Sequence, residues 1–174
     1  MKTHTIKTYS FDELSDEAKE EAVDGLMDIN IDHDWWNCTY EDAKTIGITI
    51  DGFDIDRHEM GGSLDEDGQT VANNILKEHG ETCDTYIDAK SFLADYATLV
   101  AKYSDGVNIE QVTEDNEYEF DIEIDELEDD FKRTLLVDYL SMISKEYDYL
   151  TEEDTIIETI KLNDYEFTID GKQY

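Results

Sequence analysis

Residues 116–126, NEYEFDIEIDE, alternate between carboxylate and apolar side chains with a period of two. Glu117, Glu119, Asp121, Glu123 and Asp125 share one parity; Tyr118, Phe120, Ile122 and Ile124 share the other. A period of two is the spacing of a β-strand with one buried face. The stretch therefore predicts a strand whose apolar set packs inward. Its opposite face would then carry five negative charges and no positive one, repeating about every 6.7 Å. A fold that accepts such a row also accepts repulsion along its whole length.

The row belongs to a wider surplus. From Glu114 to Asp130, eleven of seventeen residues are acidic and none is Lys or Arg. Over all 174 residues, 47 Asp and Glu face 13 Lys and Arg, for a net charge of −34. Self-repulsion on that scale opposes compaction. Yet the chain is 39% hydrophobic and 11% aromatic, which supplies a core and separates it from disordered acidic tails. Its length predicts one domain over residues 1–174.

Charge also limits the partners. A surface this negative is repelled by DNA, RNA and anionic membrane, which all require positive charge to bind. The expected partner is a basic protein surface, with a homodimer left open. No apolar run approaches the roughly 18 residues that span a bilayer. The opening MKTHTIKTYSFDE lacks the apolar core of a signal peptide. Cys38 and Cys83 form no CxxC pair, which fits a reduced compartment. The expected location is the cytoplasm of a bacterial host.

With no proline and no visible repeat, the chain offers no domain boundary. THTIKTYS predicts a short first strand. Ser10 with Glu13 forms a capping box, and a helix through DEAKEEAVDGLM buries Ala18, Ala22 and Leu26. DWWNCTYEDAKTI predicts a helix capped by Asp34 and stopped near Gly47, with Trp36, Tyr40 and Ala43 inward. GITIDGFDID reads as a strand with a bulge or turn at Asp51-Gly52, and EMGGSLDEDG as a loop. Helices follow over TVANNILKEHG and CDTYIDAKSFLADYATLVAKY, then a turn at Asp105-Gly106. After the acidic strand, LEDDFKRTLLVDYLSMISKEY predicts a long helix with Leu127, Phe131, Leu135, Leu140, Ile143 and Tyr147 inward. A last helix opens at Thr151 and Asp154, and YEFTIDG closes the chain as a strand. Strands and helices do not alternate as βαβ units. The expected class is α+β: a small, mostly antiparallel sheet packed by several helices in a single compact domain.

Chemical motifs are few. Asp28, Asn30, Asp32 and Asp34 begin like a calcium-binding EF-hand loop, but the sixth position is His33 instead of Gly and the twelfth is Thr39 instead of Glu. Asp54, Asp56, Glu59, Asp65 and Asp67 form a second acidic cluster, which is read as solvated. His4, His33, His58 and His79 with the two cysteines show no zinc spacing. GxxxxGK(S/T), GxGxxG and GxSxG are all absent. No catalytic residue, metal ligand or cofactor is therefore assigned. Trp35 does not share the helical stripe of Trp36, because adjacent helical residues point about 100° apart. It either covers a core edge or anchors a partner.

The charge can be compared with that of a duplex. A chain of this length makes a globule roughly 40 Å across, and duplex DNA of that length carries about 24 charges. The net charge therefore reaches DNA-like density and permits a nucleic-acid mimic. On that reading Glu114, Asp115, Glu117, Glu119, Asp121, Glu123, Asp125, Glu126, Glu128, Asp129 and Asp130 stand in for phosphates. Arg and Lys of the partner would meet them with charge-assisted hydrogen bonds.

YSFDELSDEAKEEA, WWNCTYEDAKTIGITIDGFDIDR, ILKEHGETCDTY and YLTEEDTIIETIKLNDYEFTIDGK resemble a loosely described family of small acidic phage and prophage proteins. The resemblance covers well over half of the chain and implies a mobile-element origin, with members sometimes described as antitoxin-like. It carries over no functional residue. By charge alone, the chain looks like the phage DNA mimics that act as anti-CRISPR and anti-restriction proteins. The expected function is inhibition of a host CRISPR effector or restriction enzyme through its basic nucleic-acid channel. The alternatives are an antitoxin-like inhibitor of a basic partner and an acidic calcium-binding module.

Overall fold

The computed structural model describes residues 7–104 and 117–174, without the side chain of Glu117. His4 and residues 3–6 of the predicted first strand, the Asp105-Gly106 turn, Glu114 and Asp115 lie outside these. The protein is α+β: among the described residues, six α-helices accompany two two-stranded antiparallel sheets. The order is β1 (Tyr9–Ser10), α1 (Asp16–Asp24), α2 (Asn37–Ile46), β2 (Ile48–Asp54), β3 (Glu59–Leu64), α3 (Gly68–Glu78), α4 (Asp84–Tyr103), α5 (Glu117–Leu150), α6 (Glu153–Leu162) and β4 (Glu166–Phe167). The chain divides into two compact units, Met1–Trp35 with Ser144–Tyr174, and Trp36–Ile143.

In the first unit, Ser10 and Glu13 make the predicted capping box, but over a 3-10 turn, Phe11–Glu13. The Ser15 side chain then caps α1 by accepting from the Ala18 N–H. α1 buries Ala18 and Ala22 against Phe11, Leu14, Ile156, Ile160 and Phe167. β1 and β4 pair antiparallel, Tyr9 opposite Phe167. In the predicted last strand, Phe167 is fully buried while Ile169 is 73% exposed, because β4 stops after two residues. Asn30 is buried. Its Nδ2 donates to the Leu150 carbonyl at 3.0 Å and its Oδ1 accepts from the Thr159 hydroxyl at 2.8 Å. A residue in the calcium-like run thus ties the C-terminal end of α5 to α6.

In the second unit, α2 ends where Gly47 adopts φ 93°, a left-handed cap that glycine reaches without a Cβ penalty. Its start differs from expectation. Trp36, not Asp34, is the N-cap, and it makes no side-chain cap bond. β2 pairs with β3, and the register slips between Ile50 and Gly52, where the alternation changes parity. β3 covers Glu59–Leu64, a segment whose two glycines and lack of β-branched residues predict a loop. The glycine at 62 is what the pairing needs. A Cβ there would stand 2.6 Å from the Thr49 carbonyl oxygen and 2.9 Å from Leu136. α3, α4 and α5 pack over this hairpin, burying Val71, Ala72, Ile75, Ala89, Phe92, Phe131, Leu135 and Tyr139. The Phe92 and Phe131 rings stack at 4.2 Å. The Tyr139 hydroxyl donates to Asp42 at 2.8 Å, and burial first, then that carboxylate, pushes its pKa far above the ordinary phenol value.

The largest correction concerns residues 117–126, which are the first turns of α5 and not a strand. Two patterns compete in this stretch. The alternation suits a strand, but Phe120, Ile124, Leu127 and Phe131 also stand at helical spacing. The helical stripe wins. All four are at least half-buried, while Tyr118 is 78% and Ile122 43% exposed. Glutamate is depleted in strands and compatible with helices, so the acids favour the same outcome.

Candidate partner-binding surface

On a helix the predicted row cannot be a row. Successive residues turn by about 100°, so side chains at i and i+2 point in nearly opposite directions. Glu119, Asp121, Glu123 and Asp125 are therefore spread around α5 instead of facing one way. Four of the predicted phosphate mimics are also engaged within the fold. Glu123 takes the Lys102 ammonium at 2.6 Å and the Tyr103 hydroxyl at 2.6 Å; both contacts, that of Lys102 above all, hold its carboxyl below the ordinary value. Asp129 pairs with Lys132 at 2.6 Å, which lowers its pKa likewise. Asp130 pairs with Arg133 at 2.8 Å. Glu128 accepts from the Gly68 N–H at 2.8 Å, satisfying an orphan donor at the start of α3, where a helix dipole also welcomes negative charge.

What remains is Glu119, Asp121, Asp125 and Glu126, all exposed and without a counter-ion among the described residues. The nine acids of residues 117–130 lie on about 21 Å of helix. Duplex of that length carries about 12 charges. Lys102, Lys132 and Arg133 offset three of the nine. This helix therefore reaches about half the line charge of DNA.

A second acidic face was legible in the sequence and went unread. Asp16, Glu17, Glu20, Glu21, Asp24, Asp28, Asp32 and Asp34 are all exposed, again without a counter-ion among the described residues. Between residues 12 and 34 only Lys19 is cationic, and its ammonium sits 5.9 Å from the Phe11 ring centre. The signal was the one-sided charge count, which the period-two pattern at 116–126 overshadowed.

Like charges left uncompensated on both faces lead to an expected result. The melting temperature rises as NaCl is increased from about 0.01 M to 0.5 M, because the screening length falls from about 30 Å to below 10 Å. Calorimetry at a fixed pH checks it. A flat profile would mean that the surface is already neutralised.

Trp35 is half-buried, its ring tilted against Tyr147 at 5.8 Å. Trp36 packs edge-on against Phe53 at 5.6 Å. Cys38, His79 and Cys83 share the lining of one cleft of about 430 Å³. The His79 ring, however, directs Nδ1 to Thr85 Oγ1 at 2.7 Å, and Nε2 lies 3.4 Å from the Asp42 carboxylate, outside hydrogen-bond geometry. Among the described residues, no group of three or more His, Cys, Asp or Glu is placed to hold a metal ion, and no helix is long and apolar enough to cross a membrane. No family model, curated protein or solved structure matches the chain.

Proposed function

We propose that the protein is a phage- or prophage-encoded acidic inhibitor that occupies the basic nucleic-acid channel of a host defence enzyme, a CRISPR effector or a restriction complex. The observation that supports this reading is a surplus of exposed carboxylates in each unit by itself, Asp16 to Asp34 in the first and Glu119, Asp121, Asp125 and Glu126 in the second, which take no cation among the described residues in a chain of net charge −34. The spread of Glu119, Asp121, Asp125 and Glu126 around α5 favours neutralisation of a cationic surface over a phosphate-by-phosphate copy of a strand. Encounter with such a surface is steered and therefore salt-sensitive. The test is capture of the effector at rising salt, with duplex DNA as competitor. Affinity is expected to fall at least about tenfold between about 50 and 200 mM salt, and excess duplex is expected to displace the protein. Binding indifferent to both salt and duplex would remove the proposal.

A further inference from the structure

The first turns of α5 present an apolar pair to solvent in a place where the helix has no need of it. Tyr118 is 78% exposed and Ile122 is 43% exposed, one turn apart on the same stripe. At about 100° per residue, Asp121 and Asp125 flank this pair on one side and Glu119 and Glu126 on the other. All four carboxylates are exposed and unpaired among the described residues. The surface is an apolar ridge between two acidic banks. A second copy of the chain is a poor occupant, since its net charge of −34 would meet like charge.

We infer that this ridge docks a basic amphipathic segment of a partner protein, one that sets apolar side chains between lysines or arginines. This rests on the reading of the protein as a ligand for a cationic surface and adds what that surface contains besides charge. Carboxylates on both sides fix the approach by pairing with the segment's cations, while Tyr118 and Ile122 lose water against its apolar residues. An uninterrupted polycation would satisfy the banks and leave the ridge wet.

The test uses two helical peptides of equal positive charge, with Lys at the same positions, one carrying Leu and the other Ser along the stripe between them. Against the full chain at about 150 mM salt, the Leu peptide is expected to bind about tenfold or more tighter than the Ser peptide. In a Tyr118→Ser/Ile122→Ser variant that ratio should fall to about one, with the Ser peptide's affinity unchanged. Equal affinity for the two peptides on the unaltered chain, or a ratio that survives in the variant, overturns this inference while leaving the charge reading intact. If neither peptide binds even at about 50 mM salt, the cationic-partner reading falls with it. Both substitutions are at exposed positions, and a circular dichroism melt confirms that the variant folds.

Discussion

Replacing Gly171 by alanine is expected to cost the protein about 3–5 kcal/mol, the range of the most damaging single substitutions. Gly171 is buried, with φ 83°, a left-handed conformation that a residue with a Cβ adopts only with strain of about 1 kcal/mol or more. The larger part is steric. A Cβ here would lie 2.1 Å from the Ala18 carbonyl oxygen and 3.1 Å from the Glu21 Cβ. The first obstacle is helix backbone, which cannot swing aside as a side chain can. The turn is pinned from within as well, since the Gly171 N–H donates to Thr168 at 3.0 Å and the Thr168 N–H to Lys172 at 2.9 Å. Either the turn or α1 must move, and Ala18 and Phe167 are both core residues of this unit. Gly52→Ala is the control. No atom lies within 4 Å of its Cβ and its φ is not positive, so the expected change is within about 0.5 kcal/mol. Urea denaturation of both variants checks the contrast, and coincident midpoints would refute it.

The second large effect concerns binding. Neutralising Glu119, Asp121, Asp125 and Glu126 together, as Gln and Asn, is expected to weaken capture of the cationic partner by about 30- to 1,000-fold. That corresponds to about 0.5–1 kcal/mol for each of four exposed charge contacts. The same substitutions remove repulsion and leave the core untouched, so the melting temperature should hold or rise. A variant neutralised at Asp129 and Asp130 should lose far less per charge removed, because Lys132 and Arg133 already occupy those carboxylates. Surface-immobilised binding assays on both variants, with melts alongside, separate the outcomes. Equal losses per charge removed would mean that total charge alone matters, and the assignment of these four residues would fail.

Much of the fold could be read from residue patterns. α1, α3 and α4 follow their apolar periodicity, Gly47 stops α2 through its left-handed cap, and the bulge falls where Asp51-Gly52 breaks the alternation. The misses share a physical cause. β3 has poor strand propensity of its own and exists because β2 offers a ladder that only a glycine at 62 can approach closely. Residues 117–126 satisfy two periods at once, and tertiary packing of Phe120 against Tyr103 and of Phe131 against Phe92 selects the helical one. The acidic residues were visible as a set, but their duties were not. Glu123 meets Lys102 and Tyr103 about twenty positions away, and Glu128 reaches Gly68 sixty positions away. No local window contains those partners.

The Glu128 contact has a practical bearing on any mutational scan. Its carboxylate closes the first turn of α3 beside the buried Gly68, where even a methyl group would strike Phe92. An alanine at 128 is therefore expected to loosen the start of α3, and any loss of binding in that variant would include this structural effect. Read by affinity alone, that loss would pass for a lost contact. Thermal denaturation of the same variant tells the two apart.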